Sequence, residues 1–123
     1  MSAWRHKAIE AFPELHTALN DAEEIFSPYA LWFELLPMVR EAHRSNDVDL
    51  LTRIYTYAAW SSQQAELSNA VATSFYEHLF DEQWMRPLVP QWLSPHVVEN
   101  IYPLWQQMLA PDALAEVDRL FKR

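Results

Sequence analysis

The chain has 123 residues and a formal net charge of −8, and it contains eight prolines but no glycine and no cysteine. Without glycine, the Gly-rich loops of P-loop and dinucleotide-binding proteins cannot be built. Without cysteine, disulfide scaffolds, thiol catalysis and cysteine-ligated zinc or iron–sulfur sites are excluded. Half of the residues are apolar, which is enough for a core without a disulfide or a metal. We therefore expect residues 1–123 to form a single helical domain.

The pattern of apolar residues indicates neither a targeting signal nor a membrane-spanning segment. Residues 8–14 follow a basic start, but they include two glutamates and lack the apolar run of a signal peptide. No stretch approaches the roughly 18 uninterrupted apolar residues of a membrane helix. We expect a cytoplasmic protein.

Apolar residues recur at helical spacing along most of the chain, and prolines or capping residues mark the breaks. The pattern predicts a first helix over residues 3–12 and a second helix from Pro13 to about residue 25. Ser27 caps a third helix that ends near residue 44. The apolar positions of this helix keep one phase across Pro37, which predicts one kinked helix rather than two.

A fourth helix begins at Asn46 or Asp47, and a fifth follows after a short polar connection. Ser61 and Gln64 have the spacing of a capping box at the start of the fifth helix. So short a connection favours an antiparallel helical hairpin at the centre of the fold. The hairpin predicts one shared set of buried side chains, namely Ile54, Tyr55, Ala58, Val71, Phe75 and Leu79.

The last third of the chain begins with a stretch rich in proline and tryptophan, residues 81–94, which we expect to form a loop packed by its own aromatic side chains. Ser94 begins a further helix that holds its phase across Pro103, and a short last helix extends to about residue 121. Together these elements predict an all-α fold of about six helices packed as antiparallel helical hairpins. A short α-superhelical array is the alternative.

The residue types of catalytic and metal sites are present, but not at the spacings that such sites need. The five histidines form no His-Glu-x-x-His or Glu-x-x-His motif, and a nucleophile elbow needs glycine. We therefore predict no catalytic residue, no bound metal and no cofactor. The alternative is a small hydrolase or metal-dependent enzyme that uses His78, Glu77 and Asp81 near the end of the fifth helix.

Charge and polar patterning favour a protein-binding role. Residues 46–82 carry six carboxylates against one arginine, and such a field repels nucleic acid and anionic lipid but attracts basic partners. Asn69, Thr73 and Glu77 form a polar ladder at i,i+4, and tryptophans beside prolines are typical of partner surfaces. Plain solvation of these groups, or a loop folded onto its own core, is the alternative. The candidate partner-binding residues are Asp47, Asp49, Glu66, Asn69, Thr73, Glu77, Asp81, Glu82, Trp84 and Trp92.

Two segments, LTRIYTYAAW (residues 51–60) and LSNAVATSFYEHL (residues 67–79), resemble a family of small uncharacterised helical bacterial proteins. The resemblance implies an all-α domain of unknown function, of a kind loosely associated with immunity partners of bacterial toxins. It implies no catalytic residue, and it singles out Asn69 and Glu77. We expect a non-enzymatic protein-interaction module that binds another protein, neither nucleic acid nor a membrane. Its most concrete form is an immunity protein that binds a basic toxin.

Overall fold

The computed structural model describes residues 2–15 and 27–122. In these ranges the α-helices are α1 (Ala3–Ala11), α2 (Pro28–Ser45), α3 (Val48–Ser62), α4 (Ser68–Ser74), α5 (Pro95–Met108) and α6 (Pro111–Leu120). Short 3₁₀ helices lie between them at Pro13–Leu15, Tyr76–His78, Gln83–Leu88 and Pro90–Trp92. The described ranges contain no β-strand. The predicted all-α fold is confirmed.

Side-chain caps set where three of the helices begin. Ser27, Asp47 and Ser94 each accept a hydrogen bond from the backbone N–H three residues further on, at 3.1 to 3.2 Å. Each cap satisfies one of the N–H groups that the first helical turn leaves without a partner. The predicted starts of these helices are confirmed. Pro28 and Pro95 also occupy the first positions of α2 and α5, where proline is favoured.

The turn between α2 and α3 needs a left-handed residue, which glycine would ordinarily supply. Asn46 takes this conformation, with φ 55° and ψ 44°. The Asp47 N–H donates to the Ala42 carbonyl at 2.8 Å, which closes a Schellman motif. Asp47 then caps α3 directly, so α2 and α3 form a tight helical hairpin.

Two helices continue through an internal proline. Pro37 lies inside α2 and Pro103 inside α5, and both side chains are exposed. Pro37 has no N–H to offer to the carbonyl of Phe33, and this part of α2 faces solvent. The predicted continuity across both prolines is confirmed.

The core lies between α2, α3 and the segment around α4. The Phe75 ring is fully buried, with its centroid 4.8 Å from that of Trp32 and 5.8 Å from that of Tyr55. All six side chains predicted to be buried together belong to this one core cluster. That prediction is confirmed.

The first helix, α1, packs on α3 and is held by two side-chain donors. Tyr57 donates to the Trp4 carbonyl at 2.9 Å, and Arg53 donates to the Ala11 carbonyl at 2.9 Å. The Phe12 ring meets Tyr57 edge to face, with centroids 5.6 Å apart. Contacts near the two ends of α1 therefore fix it on α3.

The last two helices contact the segments that follow α4. The Trp105 indole in α5 donates to the Tyr76 carbonyl at 2.9 Å. Arg86 donates to the Phe80 carbonyl at 2.8 Å and pairs with Glu116 of α6 at 3.0 Å. The Trp105 and Glu116 bonds join residues about 30 positions apart in the sequence, and they hold α5 and α6 against the segment that follows α4.

The predicted fifth helix is wrong at both ends. Ser61 is a buried residue inside α3, so it does not cap the next helix. The next helix, α4, ends at Ser74, because Phe75 has non-helical dihedral angles of φ −127° and ψ −70°. Glu77 consequently lies in the 3₁₀ helix Tyr76–His78 and not on the same α-helix as Asn69.

Two further segments differ from expectation or lie outside the described residues. Residues 81–94 contain two 3₁₀ helices rather than an irregular loop. Met85 in the first of them and Val89 between the two are fully buried. Part of the predicted helix over 13–25 is visible as the 3₁₀ turn Pro13–Leu15, and the remainder lies outside the described residues.

Candidate functional site

The chain from α4 to the 3₁₀ helix Gln83–Leu88 follows one side of α2 from its first turn to its last. Asn69 Nδ2 donates to the Tyr29 hydroxyl at 2.8 Å near the start of α2. Near its end, the Arg44 guanidinium lies 4.6 Å from the centre of the Trp84 ring. Tyr29 and Arg44 are separated by about 22 Å along the helix. We call this surface the α2 flank; it comprises Tyr29, Phe33, Arg44, Asn69, Thr73 and Trp84.

Two aromatic side chains of α2 face solvent on this flank. Tyr29 is 42% exposed and Phe33 is 69% exposed, and they are one helical turn apart. Neither residue was among the candidates predicted from the sequence. The apolar helix face that contains Trp32 and Leu35 leaves Phe33 outside it, so helix phase was the signal that could have identified Phe33.

Hydrogen bonds between neighbouring residues order the Tyr29 end of the α2 flank. The Thr73 hydroxyl donates to the Asn69 carbonyl at 2.8 Å, and the Asn69 amide holds the Tyr29 hydroxyl. The predicted polar ladder therefore has two members that lie together and support an exposed ring. Its third member, Glu77, makes different contacts.

The other end of the α2 flank carries Trp84, which is 37% exposed. Its ring lies against the Arg44 guanidinium, a cation–π contact. Arg44 also pairs with Glu41 at 3.3 Å, one turn earlier in α2. The flank thus presents an aromatic ring at each end, and a polar neighbour positions each ring.

The residues of the alternative enzymatic site, His78, Glu77 and Asp81, lie together as a His78 cluster, but their geometry suits ion pairing. His78 Nδ1 lies 2.8 Å from Asp81 Oδ2, and His78 Nε2 lies 3.9 Å from Glu77 Oε2. The Glu77 side chain is only 13% exposed. Both ring nitrogens face carboxylates, so neither is directed at a hydroxyl nucleophile. Within residues 2–15 and 27–122, no group of three or more His, Asp or Glu side chains could hold a metal ion.

The other predicted acidic residues occupy separate places. Asp47 caps α3, and Asp49 pairs at 3.1 Å with Arg53, which also pairs with Glu14 at 2.9 Å. Glu66 is exposed in the turn after α3, about 20 Å further along that helix. Asp81 and Glu82 are exposed near His78, so the predicted acidic residues are spread over the start of α3, the turn after it and the segment after α4.

Most of the chain matches one protein-family model. A family model described as Domain of unknown function (DUF7674) matches residues 5–119. The chain belongs to this family. Comparisons with curated proteins and with solved structures give no significant match. The resemblance to an uncharacterised domain family is confirmed, while bacterial origin and a role in toxin immunity stay predictions.

The remaining candidate of the DUF7674 domain, Trp92, belongs to a second aromatic group. Its ring stacks on Tyr55, with centroids 5.4 Å apart and an interplanar angle of 13°. The Tyr55 hydroxyl lies 2.8 Å from His43 Nε2 in the core. Burial lowers the pKa of His43 to about 4 and raises the pKa of Tyr55. Tyr55 was predicted to be buried in the helical hairpin, but its hydrogen bond with His43 had no local sequence signal.

None of the helices in the described ranges of the DUF7674 domain combines the length and the apolar character needed to cross a membrane.

Proposed function

We propose that this DUF7674 domain is a non-enzymatic protein-interaction module that binds its partner through the α2 flank. The observation that carries the proposal is Phe33, a residue that is 69% exposed and lies along the flank between two further partly exposed aromatic residues, Tyr29 and Trp84. Aromatic residues and arginine dominate the binding energy of protein interfaces, and this surface combines them.

The contacts of the α2 flank favour binding because they reduce its entropic cost. Tyr29 is already oriented by Asn69, and Trp84 by Arg44. Side chains that are ordered before binding lose less rotamer freedom in a complex. Burying the exposed part of Phe33 adds about 1 to 2 kcal/mol of hydrophobic stabilisation. The surface therefore has a central apolar anchor with ordered neighbours.

In its most concrete form, the proposed partner is a basic bacterial toxin and the domain is its immunity protein. The net charge of −8 and the family resemblance support this form. Because Asp49, Glu66 and Asp81 lie in different places, their charges act through the overall field and accelerate association with a basic protein. They do not need to form one contact patch.

A crosslinking experiment tests the proposed surface. A photoreactive amino acid replaces Phe33, and a matched control carries it at Met108, which is 58% exposed at the end of α5. Crosslinked proteins are identified by mass spectrometry, purified and titrated against the domain. We expect a protein that crosslinks from position 33 and not from 108, and a Kd that rises at least about ten-fold in Phe33→Ala. Equal crosslinking from both positions, or an unchanged Kd, would refute the α2 flank as the binding surface.

The immunity form requires a separate measurement. The identified partner is expressed in growing cells with the wild-type domain or with Phe33→Ala. We expect the partner alone to stop growth, the wild type to restore it and the variant to restore it less. A partner without toxicity would exclude the immunity role and leave the interaction module intact.

A further inference from the structure

A concave site lies on a part of the surface that shares no residue with the α2 flank. This cleft has a volume of about 320 Å³ and is lined by residues of α3, by Tyr76 and by residues of the segment 91–97. Its aromatic wall consists of Tyr55, Tyr76 and Trp92. The parallel rings of Tyr55 and Trp92 make this wall rigid, since the Tyr55 hydroxyl is also bonded to His43. We call it the α3 cleft.

The lining of the α3 cleft carries no charge. Among the described residues that line it there is no Asp, Glu, Lys, Arg or His, in a chain with 17 acidic and 9 basic residues. The rim instead carries Thr52, Thr56, Gln91 and Ser94. An ion entering this cleft would lose hydration without gaining a counter-charge, which disfavours charged ligands.

The tyrosines of the wall are neutral as well. Burial raises the pKa of Tyr55 and of Tyr76 above the ordinary phenol value, so neither carries charge at neutral pH. The cleft therefore combines an apolar aromatic wall with uncharged hydroxyl and amide groups, the composition of many small-molecule sites.

One hydrogen-bond donor of the cleft lining has no partner. The Trp92 indole N–H is buried and has no acceptor among the described residues. A buried donor without an acceptor is unfavourable, so a ligand that offers an acceptor to Trp92 would gain from satisfying it. Ser94 Oγ accepts from the Val97 N–H, which leaves its own proton available for donation. Both groups favour a ligand that carries a carbonyl oxygen.

We propose that the α3 cleft binds a small neutral ring compound that carries an amide or carbonyl group. The ring packs against the Tyr55 and Trp92 wall, and the carbonyl oxygen accepts from Trp92 or from the hydroxyl rim. This ligand site is independent of the proposed partner surface, because the two have no residue in common.

Three probes with the same ring and different charge test the proposal: benzamide, which is neutral, benzoate, an anion, and benzamidinium, a cation. Binding is followed by NMR of the tryptophan indole N–H signals, and the Trp92 signal is assigned with Trp92→Phe. For a fragment of this size we expect a Kd of about 1 mM for benzamide, and binding at least about ten-fold weaker for both ions. The Trp92 signal should move most, because its donor gains an acceptor.

A matched pair of variants tests whether the uncharged rim sets this preference. Gln91→Glu adds a carboxylate at the exposed rim, while Gln107→Glu adds the same charge at an exposed position near the end of α5. Gln91→Glu should weaken benzamide binding and strengthen benzamidinium binding several-fold, and Gln107→Glu should change neither. If Gln91→Glu does not fold, Thr56→Glu on the rim takes its place. Equal affinity for the three probes, no movement of the Trp92 signal up to about 10 mM benzamide, or equal effects of the two glutamates would overturn the proposal.

Discussion

Acid should destabilise this fold through His43. Its pKa falls from 6.5 to about 4 because burial disfavours the charged imidazolium. Between these two values the unfolded chain binds a proton at this residue and the folded protein does not. The contribution of neutral His43 to the free energy of unfolding is therefore complete above pH 6.5 and is lost as the pH falls towards 4. Linkage gives a loss of about 2 kcal/mol between pH 7 and pH 5, and about 3 kcal/mol by pH 4.

The measurement is urea unfolding at pH 7, 6 and 5, for the wild type and for His43→Gln, which keeps a hydrogen-bonding partner for Tyr55 but cannot titrate. The substitution changes absolute stability at every pH, so the pH slopes are compared. Between pH 7 and pH 5 the wild type should lose about 2 kcal/mol more than the variant. Parallel slopes for the two proteins would show that His43 titrates normally in the folded state, and the reasoning from burial would be wrong.

Three further predictions concern stability and are measured by chemical denaturation. Phe75→Ala should cost about 3 to 5 kcal/mol, because the ring is fully buried among other aromatics; a loss below about 1 kcal/mol would mean that the site collapses around alanine. Asn46→Ala should cost about 1 kcal/mol at its left-handed position, whereas Asn46→Gly should be neutral or stabilising; equal effects would contradict a conformational cause. Ser94→Ala should cost about 1 kcal/mol through the lost cap of α5, and an unchanged midpoint would show that this cap is replaced by water.

Local rules were sufficient for much of the fold. Ser27, Asp47 and Ser94 cap helices because a short polar side chain reaches the N–H groups of the next turn, an interaction within four residues. The buried faces of α2 and α3 follow from helical periodicity alone. These features depend on neighbours in the sequence, which is why they could be predicted.

The end of α4 could not be predicted in this way. The i,i+4 pattern of Asn69, Thr73 and Glu77 continues past Ser74, and no proline marks the break. The chain leaves the helix at Phe75, whose ring packs into the core, and the Tyr76 carbonyl bonds to the Trp105 indole 29 residues away. A hydrogen bond between residues far apart in the sequence therefore helps to determine the backbone conformation after α4.

The candidate sites were only partly accessible from the sequence for the same reason. Asn69, Thr73 and Trp84 were predicted as candidates. Asn69 and Trp84 contact Tyr29 and Arg44 of α2, and in each pair the two residues are 40 positions apart in the sequence. The α3 cleft requires α3 and residues 91–97 to meet, which no local pattern indicates. Helix phase alone could have shown that Phe33 is exposed.

The docking of α1 on α3 has a consequence for local unfolding. Its attachment includes the Phe12 contact and the bonds that Tyr57 and Arg53 make to α1 carbonyls. We expect these contacts to open together while the contacts between α2 and α3 persist. In hydrogen exchange, the α1 amides should exchange through a partial opening of lower free energy than global unfolding, whereas the α3 amides that face the core should exchange near the global limit. The first helix would then be the part of the domain that a protease or a binding partner displaces with the least disruption of the rest.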